Sequence, residues 1–248
     1  MAALIGSDAR IDEYGSGSSD KTHLLLEKLD TPAAYVPIDI SDAALDAAAD
    51  RTRQRFPSLV VAPVVADYTA PFALPDTPGR RTVVFFPGST IGNFEPDEAV
   101  AFLAGMARVA GPHGGLLIGV DLKKDRATLE RAYDDEEGMT AAFNLNLLDR
   151  INRDLDGDFD PAGFAHQARW NEEAGRMEMH LVSLRAQTVE IGGVPVSFGA
   201  GETIHTENSY KYTPDGFARL AARAGFDRTH LWTDADERFS VQYLAIAD

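Results

Sequence analysis

Two groups of residues in this sequence have the types and spacing to do chemistry. The first opens at Gly15-Ser16-Gly17-Ser18-Ser19, between an apolar run ending at Tyr14 and a helical pattern starting at Asp20 or Lys21. Glycines let the chain turn tightly at positive φ and let its backbone approach a ligand. A helix opening just after the turn aims unpaired N–H groups at that ligand. What is missing narrows the choice. Position 20 is Asp where a dinucleotide fingerprint wants its third glycine, a poor residue to receive a pyrophosphate. No Walker-type Gly-Lys-Ser/Thr run occurs either. Acidic residues instead stand at successive strand ends: Glu13, Asp39, and Asp67 beside Tyr68. A ligand with a positive sulfonium and no phosphate, S-adenosylmethionine, suits that series. Asp39 falls about where a ribose diol is grasped in such folds. Asp67 can accept from an adenine amino group while Tyr68 stacks on the ring. Taken singly, a structural turn, a helix-capping Asp and a solvated loop pair would look the same. The ordered series Glu13, Gly15, Gly17, Asp39, Asp67 carries the reading.

The second group is Phe85-Phe86-Pro87-Gly88-Ser89-Thr90-Ile91-Gly92-Asn93-Phe94. It follows the fourth strand-like run, on the side of the sheet where open α/β folds bind ligands. Two glycines with Asn93 suggest backbone approach and a polar side chain aimed into a cleft. An ordinary strand-to-helix turn with Asn93 as local glue stays open as the alternative.

The elements that must position these groups alternate. Strand-like Arg10–Tyr14, Ala33–Ile38, Ser58–Ala66, Thr82–Phe86 and Gly115–Val120 are separated by helical patterns over Lys21–Leu29, Ser41–Phe56 (with Ser41 as cap) and Pro96–Ala110. That alternation predicts a mostly parallel sheet with helices on both faces, a Rossmann-like α/β fold. Pro37 counts against a clean central strand, since it cannot donate to a ladder. After Asp121 the texture changes. Arg126–Leu155 reads as mostly helical, and Ala165–Thr188, Val194–Phe198 and Thr203–Tyr212 as strands in antiparallel hairpins. A helix over Pro214–Ala224 stops at Gly225, and strands over Thr229–Thr233 and Ser240–Ile246 can return to the main sheet. The expected architecture is one α/β domain, residues 1–124 plus 213–248, interrupted by a substrate-binding α+β insertion over 125–212.

Composition bounds the partners. The 248 residues carry a net charge of −16, which argues against a nucleic-acid substrate. The basic pairs Arg80-Arg81 and Lys123-Lys124 flank apolar runs and read as solvated strand ends. No apolar stretch approaches the ~20 residues of a membrane span, and the N-terminus has no signal-peptide pattern. Without cysteine there are no disulfides, thiolate ligands or thiol nucleophile. The expectation is a cytoplasmic protein acting on a small molecule, with a monomer favoured. The six histidines show no ligand spacing with the carboxylates, so no metal is assigned.

The sequence resembles the histidine-specific N-methyltransferases of ergothioneine biosynthesis, which trimethylate the α-amine of L-histidine to hercynine. The resemblance covers nearly the whole chain. It rests on Glu13–Thr22 (EYGSGSSDKT), Phe86–Asn93 (FPGSTIGN), Asp121–Asp125 (DLKKD), Ala132–Asp135 (AYDD), Thr140–Asn144 (TAAFN) and Thr206–Ser209 (TENS). The first motif is shared with many methyltransferases; the second and last are far more specific. The resemblance implies that Gly15, Gly17, Lys21, Asp39, Asp67 and Tyr68 contact S-adenosylmethionine and that Gly88 lines the transfer site. It implies that Asn93 and Tyr133 hold the amino and carboxylate ends of histidine, as the catalytic pair, and that Glu207 and Ser209 bind its imidazole. Relatives acting on an ergot-type indole substrate share the second motif, and Glu207-x-Ser209 favours histidine. Family members carry an N-terminal helical segment that gives tyrosines to the amino-acid site; with Met1 so near the first strand, that segment is expected to be missing here.

Methyl transfer to an amine is an in-line displacement governed by positioning, with nitrogen ~3–3.5 Å from the methyl carbon. Aromatic faces such as Tyr133 or Phe143 can favour the growing cation. Taken from the residues alone, Tyr133 also fits an amphipathic-helix core position, and Glu207 a solvated strand carboxylate. Alternative functions are methylation of another amino acid or indole amine, or a truncated, catalytically weak binder of the same cofactor.

Overall fold

The computed structural model describes residues 1–17 and 20–247, so Ser18 and Ser19 of the glycine loop lie outside the described residues. In chain order the elements are α1 (Ala2–Ile5), β1 (Ala9–Tyr14), α2 (Asp20–Leu26), β2 (Ala34–Asp39), α3 (Asp42–Arg55), β3 (Val60–Val61), β4 (Val64–Val65), β5 (Arg81–Phe86), α4 (Pro96–Ala110) and β6 (Gly115–Asp121). They continue through α5 (Arg126–Tyr133), α6 (Met139–Asp154), β7 (Phe164–Asn171), β8 (Arg176–Ser183), β9 (Gln187–Ile191), β10 (Val194–Phe198), β11 (Thr203–Tyr210), α7 (Pro214–Arg223), β12 (Phe226–Thr233) and β13 (Phe239–Ile246). The chain divides into two compact units: Met1–Ile91 with Glu95–Leu122 and Tyr212–Asp248, and Gly92–Phe94 with Lys123–Lys211.

The first unit holds an eight-stranded sheet in the order β12-β13-β6-β5-β1-β2-β3, with β4 also paired to β2. β1, β2, β5 and β6 run parallel, while β13 returns antiparallel to β6 and β12 antiparallel to β13. β5 and β6 are buried over Val83–Phe86 and Gly115–Val120. Near-continuous apolar runs of this kind mark parallel strands covered on both faces. Ile11, Tyr35, Val83, Phe85, Leu117 and Tyr243 form part of the core on one side. From β1 the chain winds outward through β2 to β3 and β4, then crosses back to β5 on β1's other flank. The loops after β1 and β5 therefore diverge, and such a reversal is where open α/β sheets bind ligands. These loops carry the two glycine motifs.

Two sequence expectations are corrected here, and a third is borne out. Ser58–Ala66 is not one strand: Val60–Val61 and Val64–Val65 are separate two-residue pieces with Pro63 between them. The strand expected over Ala33–Ile38 is present as β2, with Pro37 near its end. Its neighbours Tyr35 and Asp39 turn their carbonyls toward β3 and β4, where Ala62 and Ala66 donate at 3.0 Å each. Alternation puts Pro37 on that same side, opposite the break, so its missing N–H leaves no ladder bond unmade. Ser41 does precede α3, but its side chain makes no capping bond. Instead its backbone N–H donates to Asp39 Oδ1 at 3.1 Å.

The second unit contains α5, α6, a three-stranded antiparallel sheet in the order β11-β8-β7, and the β9–β10 hairpin. The expected strand over Ala165–Thr188 is therefore β7, β8 and the start of β9. Gly192 (φ 55) and Gly193 (φ 80) make the hairpin turn, which needs two positive-φ residues to match strand twist. Leu148, Phe159, Phe164, Leu181 and Val189 form the core. The expected long helix over Arg126–Leu155 is two helices broken at Asp134–Gly138. Gly138 takes φ 70 there, and the Asp135 carboxylate accepts N–H bonds from Met139 at 2.9 Å and Thr140 at 2.8 Å. Those bonds, that from Thr140 foremost, hold the Asp135 carboxyl down at about 2.

Candidate active site

In the first unit, β1 ends in the glycine loop with Gly15 at φ 70 and Gly17 at φ 49. At Gly15 an added Cβ would stand 3.5 Å from the Tyr68 hydroxyl, so the ring lies close over the turn. Tyr68 packs with Tyr14, Phe86 and Phe102, at ring separations of 5.8, 6.1 and 5.9 Å. Asp39, at the end of β2, bridges two backbones: Oδ2 accepts the Gly17 N–H at 3.1 Å and Oδ1 that of Ser41. Asp67 is exposed and closes a tight turn on Thr69, accepting from its N–H at 2.9 Å and its hydroxyl at 2.6 Å. The Thr69 side-chain bond, then its backbone bond, lowers the Asp67 carboxyl.

Glu13 lies beneath this loop and is 2% exposed. Burial pushes its carboxyl up to about 7, against the hydrogen bond from Tyr35 and the nearby charge of Lys21. Tyr35 Oη donates to Glu13 Oε2. Lys21 is exposed, and it lines one end of a cavity of about 380 Å³ walled by Leu24, Leu25, Phe85, Leu117 and Val241.

These residues fit S-adenosylmethionine. Ser16 Oγ is buried within the loop and has no partner among the described residues, the kind of polar atom that a ligand satisfies. The carboxylates of Asp39 and Asp67 at adjacent strand ends can accept from hydroxyls and an amino group, and Tyr68 offers an aromatic body beside them. The loop after β5 is pinned at Ser89, whose Oγ accepts the Asp121 N–H at 2.8 Å. Gly88 precedes it, with Thr90 Oγ1 3.4 Å from an added Cβ. Asn93 ends a short 3-10 turn over Thr90–Asn93 and is exposed.

In the second unit, β11 carries the substrate candidates. Glu207 and Ser209 pair with Met179 and Met177 of β8, so both point to one face of the sheet. The register shifts between His205 and Glu207, a bulge at Thr206, whose hydroxyl donates to the Met179 carbonyl at 2.9 Å. Such a bulge re-aims the residues on either side of it. Here it turns Glu207 to the face of Ser209 and His205 to the other.

Ser209 meets two partners. Tyr133 Oη donates to Ser209 Oγ at 2.8 Å, and Lys211 Nζ donates to Tyr133 Oη at 2.7 Å and to Ser209 Oγ at 2.8 Å. Lys211 is 2% exposed and its ammonium also lies 4.7 Å from the centre of the Tyr133 ring. Glu207 is half-buried; burial raises its carboxyl and the positive charge of Lys211 lowers it.

Tyr133 is held at both ends. Its ring packs against Leu129, Trp170 and Met177, while its hydroxyl bonds Ser209 and Lys211. As the last residue of α5 it leaves its carbonyl without a helical partner. His166 Nε2 bonds that carbonyl at 2.8 Å, and Asn144 Nδ2 bonds His166 Nδ1 at 3.0 Å. Gly92 abuts the same strand: an added Cβ would meet the Tyr210 carbonyl oxygen at 2.7 Å and Ser209 Oγ at 3.3 Å. Phe143, offered as a cation-stabilising face, is 64% exposed and joins no part of this cluster.

On the opposite face of β8 and β11, Glu178, His180 and His205 bring ligand atoms within 4.8 Å of one another, a grouping that sequence spacing did not reveal. Arginines share it. Arg176 donates to Glu178 Oε1 at 3.0 Å, Asn171 to the same oxygen at 2.8 Å, and Arg169 stands 2.9 Å from His180 Nε2. Burial would raise Glu178, but bonds from Asn171, His180 and Arg176 outweigh it and hold it at about 2. The cluster is an ion network in which two guanidiniums supply positive charge to Glu178, while His180 Nδ1 is buried without a hydrogen-bond partner among the described residues.

The sequence motif anticipated the close backbone approach now seen at Gly92, but Lys211 and the His166–Asn144 support were not among the sequence candidates. The alternation Glu207, Ser209, Lys211 was the available signal, since strand residues two apart share a face.

A family model described as histidine-specific methyltransferase, SAM-dependent, matches residues 1–246. The chain is 39% identical over 239 residues to a histidine N-alpha-methyltransferase of Mycolicibacterium smegmatis, covering 94% of this chain and 74% of that protein. It is 32% identical over 252 residues to ergothioneine biosynthesis protein 1 of Neurospora crassa, covering 96% of this chain and 28% of that protein. Among solved structures, the CcbJ methyltransferase of Streptomyces caelestis superposes with a TM-score of 0.56 at 14% identity, over 99% of this chain and 92% of that one. The fold is accordingly that of an S-adenosylmethionine-dependent methyltransferase, and the match over nearly its full length places the chain in the histidine-specific methyltransferase family.

Proposed function

We propose that this enzyme methylates the α-amine of L-histidine, three times in succession to give hercynine, at a substrate cluster built from Asn93, Tyr133, Glu207 and Ser209. Bound S-adenosylmethionine supplies a methyl group activated by its sulfonium. The protein's task is to hold the two molecules in register, which is where most of the rate of such a displacement comes from. Residues 1–124 with 213–248 form the cofactor domain in this reading. Gly15 and Gly17 shape the loop, Lys21, Asp39, Asp67 and Tyr68 contact the cofactor, and Gly88 lines the transfer site. Residues 125–212 form the substrate-binding insertion.

The observation that carries the substrate assignment is the placement of Glu207 and Ser209 on one face of β11, beside the Tyr133 hydroxyl. A carboxylate and a hydroxyl spaced this way suit the two nitrogens of an imidazole. A site built to bond a polar ring rejects side chains that leave its buried groups unpaired. Tyr133 and Asn93 hold the amino-acid backbone: the Asn93 amide can donate and accept, while the Tyr133 hydroxyl, its hydrogen given to Ser209, offers an accepting lone pair.

The test is incubation with methyl-labelled cofactor and a panel of amino acids including tryptophan. Histidine should be the preferred acceptor, with mono-, di- and trimethylated products appearing in turn by mass spectrometry. Preference for another amine would overturn the assignment. Among the described residues no helix is long and apolar enough to cross a membrane.

A further inference from the structure

Lys211 is a buried ammonium that donates to two hydroxyls already bonded to each other. The arithmetic of those bonds constrains what remains. A serine hydroxyl has one donor hydrogen and two acceptor lone pairs. Ser209 Oγ accepts from Tyr133 and from Lys211, which uses both lone pairs. What Ser209 has left to offer is its own O–H. Glu207, on the same face of the strand, offers the reverse: an ionised carboxylate only accepts.

We infer that Lys211 sets the hydrogen-bond polarity of the substrate cluster, so that Ser209 as donor and Glu207 as acceptor select the neutral imidazole of histidine over its imidazolium. A neutral imidazole carries one N–H and one bare nitrogen, complementary to that pair; an imidazolium carries two N–H groups and would meet the Ser209 hydrogen head-on. The ammonium adds a like charge against the imidazolium; burial raises the carboxyl of Glu207, and the charge of Lys211 works against that rise, toward the accepting form. Lys211 is a positioning residue in this scheme, acting through Ser209 and Glu207. The inference rests on the reading of Glu207 and Ser209 as the imidazole site.

The experiment measures binding of N-α-trimethylated histidine by calorimetry between pH 5.5 and 7.5, in wild type, Lys211→Met and Lys211→Gln. The quaternary amine of this probe does not titrate, so the ligand changes charge only at its ring. With an imidazole pKa near 6.5, wild-type affinity should rise about tenfold across the range. Lys211→Met frees a Ser209 lone pair and removes the repelling charge, so its affinity should change less than about threefold. Lys211→Gln keeps an N–H donor for both hydroxyls and should retain most of the wild-type slope. Undiminished affinity for S-adenosylmethionine in each variant reports an intact fold. A wild-type slope in Lys211→Met, or a flat profile in Lys211→Gln, overturns the role of Lys211. A wild-type protein that binds no histidine derivative overturns the substrate reading itself, and the inference with it.

Discussion

The Asp39 carboxylate reaches across from the end of β2 to accept the Gly17 N–H at 3.1 Å, tying the glycine loop to the neighbouring strand. Its second oxygen holds the Ser41 N–H at the start of α3. One side chain thus fixes the turn after β1 and the turn after β2 together. Replacing Asp39 by alanine removes a charge-assisted bond worth ~1.5–3 kcal/mol. S-adenosylmethionine should bind roughly 10–100-fold more weakly, measured by calorimetry, with histidine affinity little altered. An equal loss for both ligands would contradict this division of labour.

Glu207→Ala removes the acceptor for the imidazole N–H. The KM for histidine is expected to rise about 10–100-fold, on the scale of a lost hydrogen bond to a charged group. Discrimination against other amino acids should fall with it, while cofactor affinity stays as in wild type. Competition assays with an amino-acid panel read both effects, and unchanged selectivity would move the ring elsewhere.

Gly92 has no room for a side chain, because a Cβ would lie 2.7 Å from the Tyr210 carbonyl oxygen, a backbone atom that cannot swing aside. Gly92→Ala should destabilise the protein by roughly 1–3 kcal/mol through overpacking. The displaced strand carries Ser209, so histidine affinity should drop more than cofactor affinity. Urea denaturation and paired titrations test the two parts.

Glu13 supplies a pH signature. Its folded-state pKa, about 7, lies above the ordinary 4.5 because the carboxyl is buried. The protonated form is therefore favoured by folding: its contribution is fully present below about pH 4.5 and is lost as pH rises through about 7, a change of about 3 kcal/mol. Glu13→Gln, neutral throughout, should flatten that part of the profile. Denaturant midpoints at pH 5 and pH 7.5 in the two proteins provide the check, and parallel profiles would assign the slope to other groups.

How far the sequence alone carries depends on how local the cause is. Period-two and helical patterns put β1, β2, β5 and β6 in place, because each strand is buried by its own apolar run. The glycine loop, Asp39 and Tyr68 were legible because they sit at strand ends, where topology leaves little choice. The break between α5 and α6 was missed although Gly138 marks it, since the Asp135 cap becomes visible only once its carboxylate meets the Met139 and Thr140 N–H groups. The clustering of Glu178, His180 and His205 depends on a bulge that changes strand parity, and no spacing rule anticipates it. Lys211 was hidden for another reason: lysines are rarely buried, and its burial depends on two hydroxyl partners, one two residues back along the chain and one, Tyr133, from the distant α5.

The interruption between Val61 and Val64 bears on how the molecule behaves among its own copies. β3 and β4 form the outer margin of the sheet, where an unbroken strand would display a row of open N–H and C=O groups to any passing chain. Pro63 cuts that margin into two-residue pieces. Val60 and Val65 can then stay exposed there, at 43% and 54%, without giving a neighbour enough length to extend the sheet. A proline that interrupts a strand thereby guards a crowded solution against edge-to-edge aggregation.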